Sequence, residues 1–139
     1  MKQHLAGLLR QAVTGLGPEA RHAEGLAIEV ERTRAKEHGD FASNLALTLA
    51  RRCGARPREL AERLAANLPA SPHVARIEIA GPGFINFFLA PAAYHTVVRE
   101  ILARGEAYGR SNLGAGERIH LEFVSANPNG PLHVGHGRG

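Results

Sequence analysis

Two histidines near the end of the sequence, His133 and His136, carry the clearest indication of chemistry. They are separated by three positions, so at the start of a helix they lie on the same side. Each imidazole can donate a hydrogen bond to a phosphate oxygen, and the free N–H groups of a helix start also favour negative charge. Gly135 between them lets a flat base or ribose approach the backbone. The pattern predicts a site for a nucleotide phosphate.

The residues alone leave the histidine pair open to two further interpretations. The segment could be a helix-capping loop in which both imidazoles are satisfied by neighbouring groups. The two histidines could also be ligands of a metal ion at positions i and i+3. A zinc site would need more ligands nearby, and the single cysteine, Cys53, gives it little support. We therefore expect no metal site in this chain.

The residues before the histidines predict the local structure that positions them. Residues 121–124 can extend as a strand, whereas residues 125–131 contain two prolines and several Asn and Gly residues that favour turns. A loop that leaves a parallel strand and enters a helix is where open α/β sheets bind nucleotides. Such a sheet needs further strands and helices, so we expect residues 121–139 to be extended, disordered or docked on a neighbouring molecule.

A second group of candidate residues lies in the stretch FINFFL, residues 84–89. In a strand, alternate residues beginning with Ile85 would share a core face, and Phe84 and Asn86 would lie on the opposite face. An exposed aromatic ring can stack on an unpaired base, and an amide can read the base edge. Phe84 and Asn86 are therefore candidates for RNA binding, and Phe88 is expected in the core. Alternatively, Phe84 packs beneath the following helix and Asn86 caps a turn.

The chain has a formal net charge of +4 at pH 7, which permits a polyanionic partner without requiring one. Its basic residues fall in two clusters. Either cluster could bind phosphates with salt-sensitive affinity, and either could equally be solvated surface charge. The first cluster consists of Arg32, Arg34 and Lys36, and the second consists of Arg51, Arg52, Arg56 and Arg58.

Composition indicates a globular protein, because 44% of the 139 residues are hydrophobic and can build a core of Leu, Ala, Ile and Val. One cysteine excludes an internal disulfide framework and suits a reducing compartment, so we expect the cytoplasm. The amphipathic N-terminus has neither the unbroken apolar segment nor the cleavage site of a signal peptide. No stretch approaches the roughly 18 apolar residues of a membrane-spanning helix, so no membrane partner is expected.

Hydrophobic periodicity predicts an α+β fold, with an antiparallel sheet backed by helices. Ile28 and Val30 alternate with glutamates in the first strand, and Asp40 is the predicted N-cap of the second helix. The predicted helices cover residues 4–16, 41–53, 58–68 and 92–107, and the predicted strands cover residues 26–34, 74–80 and 84–89. In the last helix, the stripe expected to face the core consists of Tyr94, Val97, Val98, Ile101 and Leu102.

The string SANPNGPLHVGHGRG, residues 125–139, resembles the HIGH signature of class I aminoacyl-tRNA synthetases, in the form found in bacterial arginyl-tRNA synthetases. The segments HGDFASNLAL at 38–47 and IEIAGPGFINFFL at 77–89 are similar to recurring parts of that family's additional N-terminal domain. The resemblance covers essentially the whole chain. It implies a tRNA-binding domain at residues 1–107, a Gly-rich linker at 108–117, and the first strand and helix start of a truncated Rossmann-like catalytic domain at 118–139.

The implied activity is that of an arginine–tRNA ligase, which uses ATP to attach arginine to its tRNA. His133 and His136 match the catalytic signature histidines that bind the ATP phosphates, and Gly135 matches the glycine that lies against the nucleotide. Ser125 and Asn127 match positions that contact the bound arginine, although Asn127 could instead be a turn residue before proline. ATP with Mg²⁺ is the expected substrate of the whole enzyme, and we expect no cofactor tightly bound to this chain.

The resemblance also concerns RNA. Phe84 and Asn86 match an aromatic residue and an amide that grip a D-loop base at the tRNA elbow. The implied partners are tRNA(Arg), together with ATP and arginine in a full enzyme that is expected to be monomeric.

A class I synthetase also needs a lysine loop of the KMSKS type. This chain has only Lys2 and Lys36, and neither lies in such a loop. We therefore expect an N-terminal fragment that binds the tRNA elbow but does not catalyse. Two alternatives stay open. One is a stand-alone RNA-binding module descended from the synthetase domain. The other is a different HxGH nucleotidyltransferase of the pantetheine-phosphate adenylyltransferase type, although that group usually has its motif near the chain start.

Overall fold

A computed structural model describes residues 1–122, 124, 126 and 129–138 of the chain. Contacts divide the chain into two compact units, Met1–Glu106 and Ala107–Gly139. The helices of the first unit are α1 (Lys2–Thr14), α2 (Leu45–Cys53), α3 (Pro57–Ala66) and α4 (Pro91–Arg104). Its strands are β1 (Glu31–Arg32), β2 (Phe41–Ser43), β3 (Val74–Ala80) and β4 (Phe84–Leu89). Short 3₁₀ turns occupy Gly17–Ala23, Lys36–His38, Gly105–Ala107 and His136–Arg138. In the described part of the chain, no helix has the length and apolar character needed to cross a bilayer.

The strands form one antiparallel sheet in the order β1-β2-β4-β3. Strands β3 and β4 are a hairpin with the predicted boundaries. Strand β4 is central because β2 pairs with its other edge, and α2 and α3 lie between β2 and β3 in the sequence. The predicted α+β class, an antiparallel sheet backed by helices, is therefore confirmed.

The inner face of the sheet carries the hydrophobic core. Ile85 and Phe87 on β4 are completely buried, as the alternation predicted. Helices α2 and α3 pack against this face, and α1 packs against α3. Each helix contributes leucines at helical spacing. The fully buried ones are Leu5 and Leu9 from α1, Leu45 and Leu49 from α2, and Leu60 and Leu64 from α3.

The prediction of one helix over residues 41–53 is wrong at its start. Phe41 and Ser43 are buried on one face of β2, and Ala42 between them faces the other way. Strand β2 pairs with β4, so its backbone groups are satisfied by the sheet, and the helix begins only at Leu45. The Ser43 hydroxyl accepts a hydrogen bond from the Leu45 N–H at 3.3 Å and so marks that start.

Asp40 is not the N-cap that the sequence predicted. Its carboxylate accepts two hydrogen bonds, one from the backbone N–H of Leu89 at 2.8 Å and one from the Tyr94 hydroxyl at 2.8 Å. The bond to Asp40 is the largest cause that raises the pKa of the Tyr94 hydroxyl above its ordinary value. Asp40 therefore joins the loop before β2 to the end of β4 and the start of α4.

The predicted strand at residues 26–34 is much shorter in the structure. Only Glu31–Arg32 pairs with a neighbour, in register with Phe41 and Ala42. The predicted alternation still holds, because Val30 is buried and Ile28 is half-buried between exposed residues. The side-chain pattern was therefore right and the extent of the backbone ladder was wrong.

The apolar stripe of α4 is exposed, which corrects the prediction that it faces the core. Its residues are between 40% and 76% exposed, and only Ala93 of this helix is buried. Helices α1, α2 and α3 supply the leucines that cover the inner face of the sheet. The apolar stripe of α4 therefore does not pack against that face. Phe88 is also outside the core. It is half-buried, and the Arg76 guanidinium carbon lies 3.6 Å from its ring centroid.

Gly39 lies where the loop before β2 passes closest to β4. Its φ is +80°, and a Cβ there would lie 2.6 Å from the Phe87 carbonyl oxygen. We expect Gly39→Ala to lower the free energy of unfolding by about 2 kcal/mol, because both the backbone conformation and the contact oppose a side chain. Gly54 is the matched control, since its φ is +69° but a Cβ there meets nothing within 4 Å. Gly54→Ala should lower the free energy of unfolding by about 1 kcal/mol. Urea unfolding would measure the loss for both variants. Equal losses would contradict the close approach at Gly39.

Glu19 and Arg63 join the first 3₁₀ turn to α3. Arg63 Nη1 lies 2.6 Å from Glu19 Oε1, and Arg63 Nη2 also donates to the Leu16 carbonyl at 2.7 Å. The hydrogen bond from Arg63 is the main cause that lowers the pKa of Glu19 from 4.5 to about 2. A carboxyl whose pKa is lowered by folding stabilises the fold above its unfolded pKa and loses that effect as the pH falls through the folded pKa.

We therefore expect the free energy of unfolding of the wild type to fall more steeply between about pH 4.5 and 2 than that of Glu19→Gln. Urea unfolding at a series of pH values would measure both slopes. Parallel pH profiles would show that the pair contributes nothing to stability.

Candidate functional site

The outer face of the sheet, opposite the core, carries the RNA-binding candidates. Phe84 is paired with Ala80 and is 40% exposed. Asn86 lies in the middle of the sheet, in register with Ala42 of β2 on one side and Glu78 of β3 on the other. Its side chain is only 4% exposed, and it makes no hydrogen bond to any described residue.

A cavity of about 330 Å³ opens beside these two side chains, and we call it the outer cavity. Its walls include Arg34, His38, Ala42, Pro82, Phe84 and Asn86. The methyl side chain of Ala42 leaves space next to the Asn86 amide. An aromatic face next to an unpaired amide can stack on a base and hydrogen-bond to its edge. The arrangement is therefore suited to an unstacked nucleotide base.

Phe84 also borders a second, smaller concavity of about 160 Å³, which we call the acidic hollow. Glu29 and Glu31 line it together with Arg32. The two concavities share Phe84 and Ala42 and differ in charge, because the outer cavity has basic side chains in its wall.

The two basic clusters are in different situations. In the cluster between α2 and α3, Arg52 donates to the His22 and Glu24 carbonyls, at 3.3 and 3.2 Å. Arg56 pairs with Glu59 at 2.8 Å, and Arg58 pairs with Glu62 and donates to the Gly81 carbonyl. In the other cluster, the side chains of Arg34 and Lys36 have no hydrogen-bond or ion-pair partner among the residues the structure describes. That cluster is the freer of the two to bind an anion.

The two histidines of the second unit lie against each other. Their ring centroids are 3.9 Å apart and their planes are inclined by 31°. Nδ1 of His133 accepts from the Gly135 N–H at 3.1 Å, and Nδ1 of His136 accepts from the His133 N–H at 3.1 Å. A neutral imidazole that accepts at Nδ1 carries its proton on Nε2. Both rings therefore keep an Nε2–H donor for a ligand oxygen.

Gly135 leaves room for the His133 ring in this turn. A Cβ at this position would lie 2.9 Å from Cε1 and 3.0 Å from Nδ1 of His133. Any side chain would displace the imidazole and break the hydrogen bond that sets its tautomer. The donor set here consists of N–H groups, which fits phosphate oxygens and does not fit a cation such as Mg²⁺.

The residues around the histidine turn differ in part from expectation. Residues 121, 122 and 124 pair with no other strand, and the sequence predicts a strand there only within a larger sheet. A single 3₁₀ turn, His136–Arg138, stands where a helix start was predicted. Ser125 and Asn127, the predicted arginine-binding residues, lie outside the described residues.

Sequence reasoning did not identify every residue of the outer cavity. His38 lies between the predicted strand at 26–34 and the predicted helix at 41–53, and Ala42 lies inside that helix. Both belong to the segment HGDFASNLAL that carried part of the family resemblance, so that segment was the available signal.

Sequence comparison relates this chain to arginyl-tRNA synthetases. The family model described as "Arginyl tRNA synthetase N terminal domain" matches residues 3–89. The arginine–tRNA ligase of Halorhodospira halophila is 52% identical over 142 residues, and that of Thioalkalivibrio sulfidiphilus is 53% identical over 141 residues. Each alignment covers 100% of this chain and 24% of the relative, so the chain spans about a quarter of the length of the curated relatives it matches.

Two solved structures share the fold. The arginyl-tRNA synthetase of Thermus thermophilus aligns with a TM-score of 0.56 at 24% identity, covering 98% of this chain and 21% of that one. The arginyl-tRNA synthetase of Plasmodium falciparum aligns with a TM-score of 0.57 at 12% identity, covering 72% of this chain and 18% of that one. With a family model matched over most of the first unit and relatives aligned along its whole length, the chain belongs to the arginyl-tRNA synthetase N-terminal domain family.

Proposed function

We propose that this chain is the tRNA-elbow-binding part of an arginine–tRNA ligase and that Phe84 and Asn86 bind a D-loop base. The observation that carries the proposal is the exposed Phe84 ring beside Asn86 at an open cavity, where the Asn86 amide has no hydrogen-bond partner among the described residues. Stacking on such a ring contributes about 1–3 kcal/mol per base. The ligase relatives, aligned over the whole chain, favour this function over another HxGH nucleotidyltransferase.

The proposed reaction of the whole ligase has two steps. The carboxylate of arginine attacks the α-phosphate of ATP and pyrophosphate leaves, and then the terminal hydroxyl of tRNA(Arg) attacks the arginyl carbonyl and AMP leaves. His133 and His136 would donate their Nε2–H groups to phosphate oxygens as charge develops on them. Mg²⁺ would be held by the phosphates and water, and arginine would be contacted by Ser125 and Asn127.

The remaining parts of the proposal concern organisation. Residues 1–107 would form the tRNA-binding domain, 108–117 a linker, and 118–139 the start of a Rossmann-like catalytic domain. The 139 residues contain no KMSKS-type lysine loop, so they would bind tRNA without catalysing. We place the ligase in the cytoplasm as a monomer.

The test is tRNA binding by the purified chain at increasing salt concentration, with arginine tRNA and an unrelated tRNA as ligands. We expect preferential binding of arginine tRNA that persists as salt rises, since stacking and amide contacts are not screened. A third ligand, arginine tRNA with an abasic D-loop position, should bind like the unrelated tRNA. Equal, steeply salt-dependent binding of all three would leave only charge attraction and would overturn the proposal.

A further inference from the structure

The loop between β1 and β2, residues 33–40, forms one wall of the outer cavity and is held against β4 at its end. The Thr33 N–H donates to the Asp40 carbonyl at 3.3 Å, which closes the loop on itself. The Asp40 N–H donates to the Phe87 carbonyl at 2.8 Å, and the Asp40 carboxylate accepts from the Leu89 N–H at 2.8 Å. The loop is therefore positioned by the same strand that carries the aromatic ring and the amide of the site.

This loop brings an unpaired cation to the cavity. Arg34 lines the outer cavity, its side chain is exposed, and it has no ion pair or hydrogen bond within the described residues. Arg76, on the same face of the sheet, differs in this respect. Its guanidinium lies 2.6 Å from Glu78 and stacks on the ring of Phe88. Of these two arginines on the outer face, Arg34 is the one whose guanidinium is not already held by a carboxylate and an aromatic ring among the described residues.

The charge on the two sides of Phe84 is opposite. The acidic hollow presents the two carboxylates of Glu29 and Glu31 against the single guanidinium of Arg32, whereas the described lining of the outer cavity presents Arg34 and His38 and no carboxylate. A phosphate group is repelled by the carboxylates and attracted by the guanidinium. A nucleotide whose base lies on Phe84 would therefore direct its phosphate towards Arg34.

We propose that Arg34 binds the backbone phosphate of the nucleotide whose base stacks on Phe84, so that the outer cavity reads one base together with its phosphate. This inference rests on the proposed function. The planar guanidinium can donate two parallel N–H bonds to phosphate oxygens, which a solvated surface charge would not do. Lys36 offers a comparison within the same loop, because it is also exposed and unpaired in the described structure but does not line the cavity.

The experiment compares Arg34→Gln with Lys36→Gln, each in the wild-type and Phe84→Ala backgrounds, using the full chain and arginine tRNA. Arg34→Gln should weaken binding roughly tenfold and reduce the slope of log K against log[salt] by roughly 0.7–0.9. In the Phe84→Ala background the same substitution should have a much smaller effect, because the nucleotide is no longer held. Lys36→Gln should have a smaller effect that is equal in both backgrounds. Thermal unfolding would verify that all variants fold.

Two results would overturn the inference. If Arg34→Gln and Lys36→Gln have equal effects that add to the effect of Phe84→Ala, Arg34 contributes only general attraction, and base stacking on Phe84 still stands. If Phe84→Ala by itself does not weaken binding, no nucleotide is held on the ring, and the proposed function fails together with the inference.

Discussion

Replacing Phe84 and Asn86 together by alanine is expected to weaken the binding of arginine tRNA by roughly a hundredfold. Loss of stacking accounts for about 1–3 kcal/mol and loss of a neutral hydrogen bond for about 0.5–1.5 kcal/mol. The variant should still fold, because Phe84 is on the outer face of the sheet and 40% exposed, and the Asn86 amide has no partner to lose among the described residues. Fluorescence anisotropy with labelled tRNA would measure the affinity, and thermal unfolding would measure the fold.

Phe88 supplies the matched control for the aromatic ring. It lies on the same strand and the same face, but its ring is covered by the Arg76 guanidinium at 3.6 Å. Phe88→Ala should leave tRNA affinity nearly unchanged. Phe84→Leu is a second control, since it keeps apolar area and removes the π-face, and it should bind nearly as weakly as Phe84→Ala. Equal losses of tRNA affinity from Phe84→Ala and Phe88→Ala would show that no base stacks specifically on Phe84, and the proposed base contact would be rejected.

The placement of Phe84 and Asn86 could be predicted from the sequence, because side-chain alternation in a strand is a local property. The boundaries of β3 (Val74–Ala80) and β4 (Phe84–Leu89) were also predicted correctly, because prolines and glycines flank the two strands. What the pattern could not supply is the neighbour of β4. Strand β2 has only three residues, which is too short to show a period.

The segment at Phe41 illustrates how a distant partner overrides a local pattern. Phe41, Leu45 and Leu49 are four residues apart, which favours a helix from Phe41 onwards. In the structure Phe41 pairs with Phe87, which lies 46 residues later in the sequence, and the helix begins only at Leu45. The loop that carries Arg34 depends on equally distant contacts, because the Asp40 carboxylate accepts hydrogen bonds from residues 49 and 54 positions away. No local rule contains such contacts.

Helix α4 shows a different limit of sequence reasoning. Its spacing correctly predicted one apolar stripe on a helix, but a stripe does not say what covers it. In the first unit the stripe is exposed, with Leu102 at 76% and Val98 at 54%. The histidine turn has the same limit. The spacing of His133 and His136 predicted that the rings would be close, but the backbone donors that fix their tautomers could only be found in the structure.

Removal of a single Nε2–H donor from the histidine turn is expected to have the largest effect on catalysis. The appropriate protein is a chimaera in which residues 1–139 replace the aligned segment of the Halorhodospira halophila ligase, which is 52% identical over 142 residues. His133→Ala should slow the formation of arginyl-adenylate by roughly 100- to 1,000-fold, because a preorganised donor to the developing negative charge is lost. Exchange between ATP and labelled pyrophosphate, with arginine tRNA present in every reaction, would measure this step separately from acylation.

The choice of replacement separates the donor from the ring itself. A glutamine can place its amide N–H close to the position of the imidazole Nε2–H, so His133→Gln should retain more activity than His133→Ala. Gly135→Ala leaves both histidines in the sequence, yet its Cβ would meet the His133 ring at 2.9 Å, so it should lose activity through displacement of that donor. His120→Ala, which removes an exposed imidazole from the same unit, should remain as active as the parent chimaera. If His133→Ala forms arginyl-adenylate as fast as the parent chimaera, the Nε2–H donor of His133 has no part in the reaction, and the prediction is wrong.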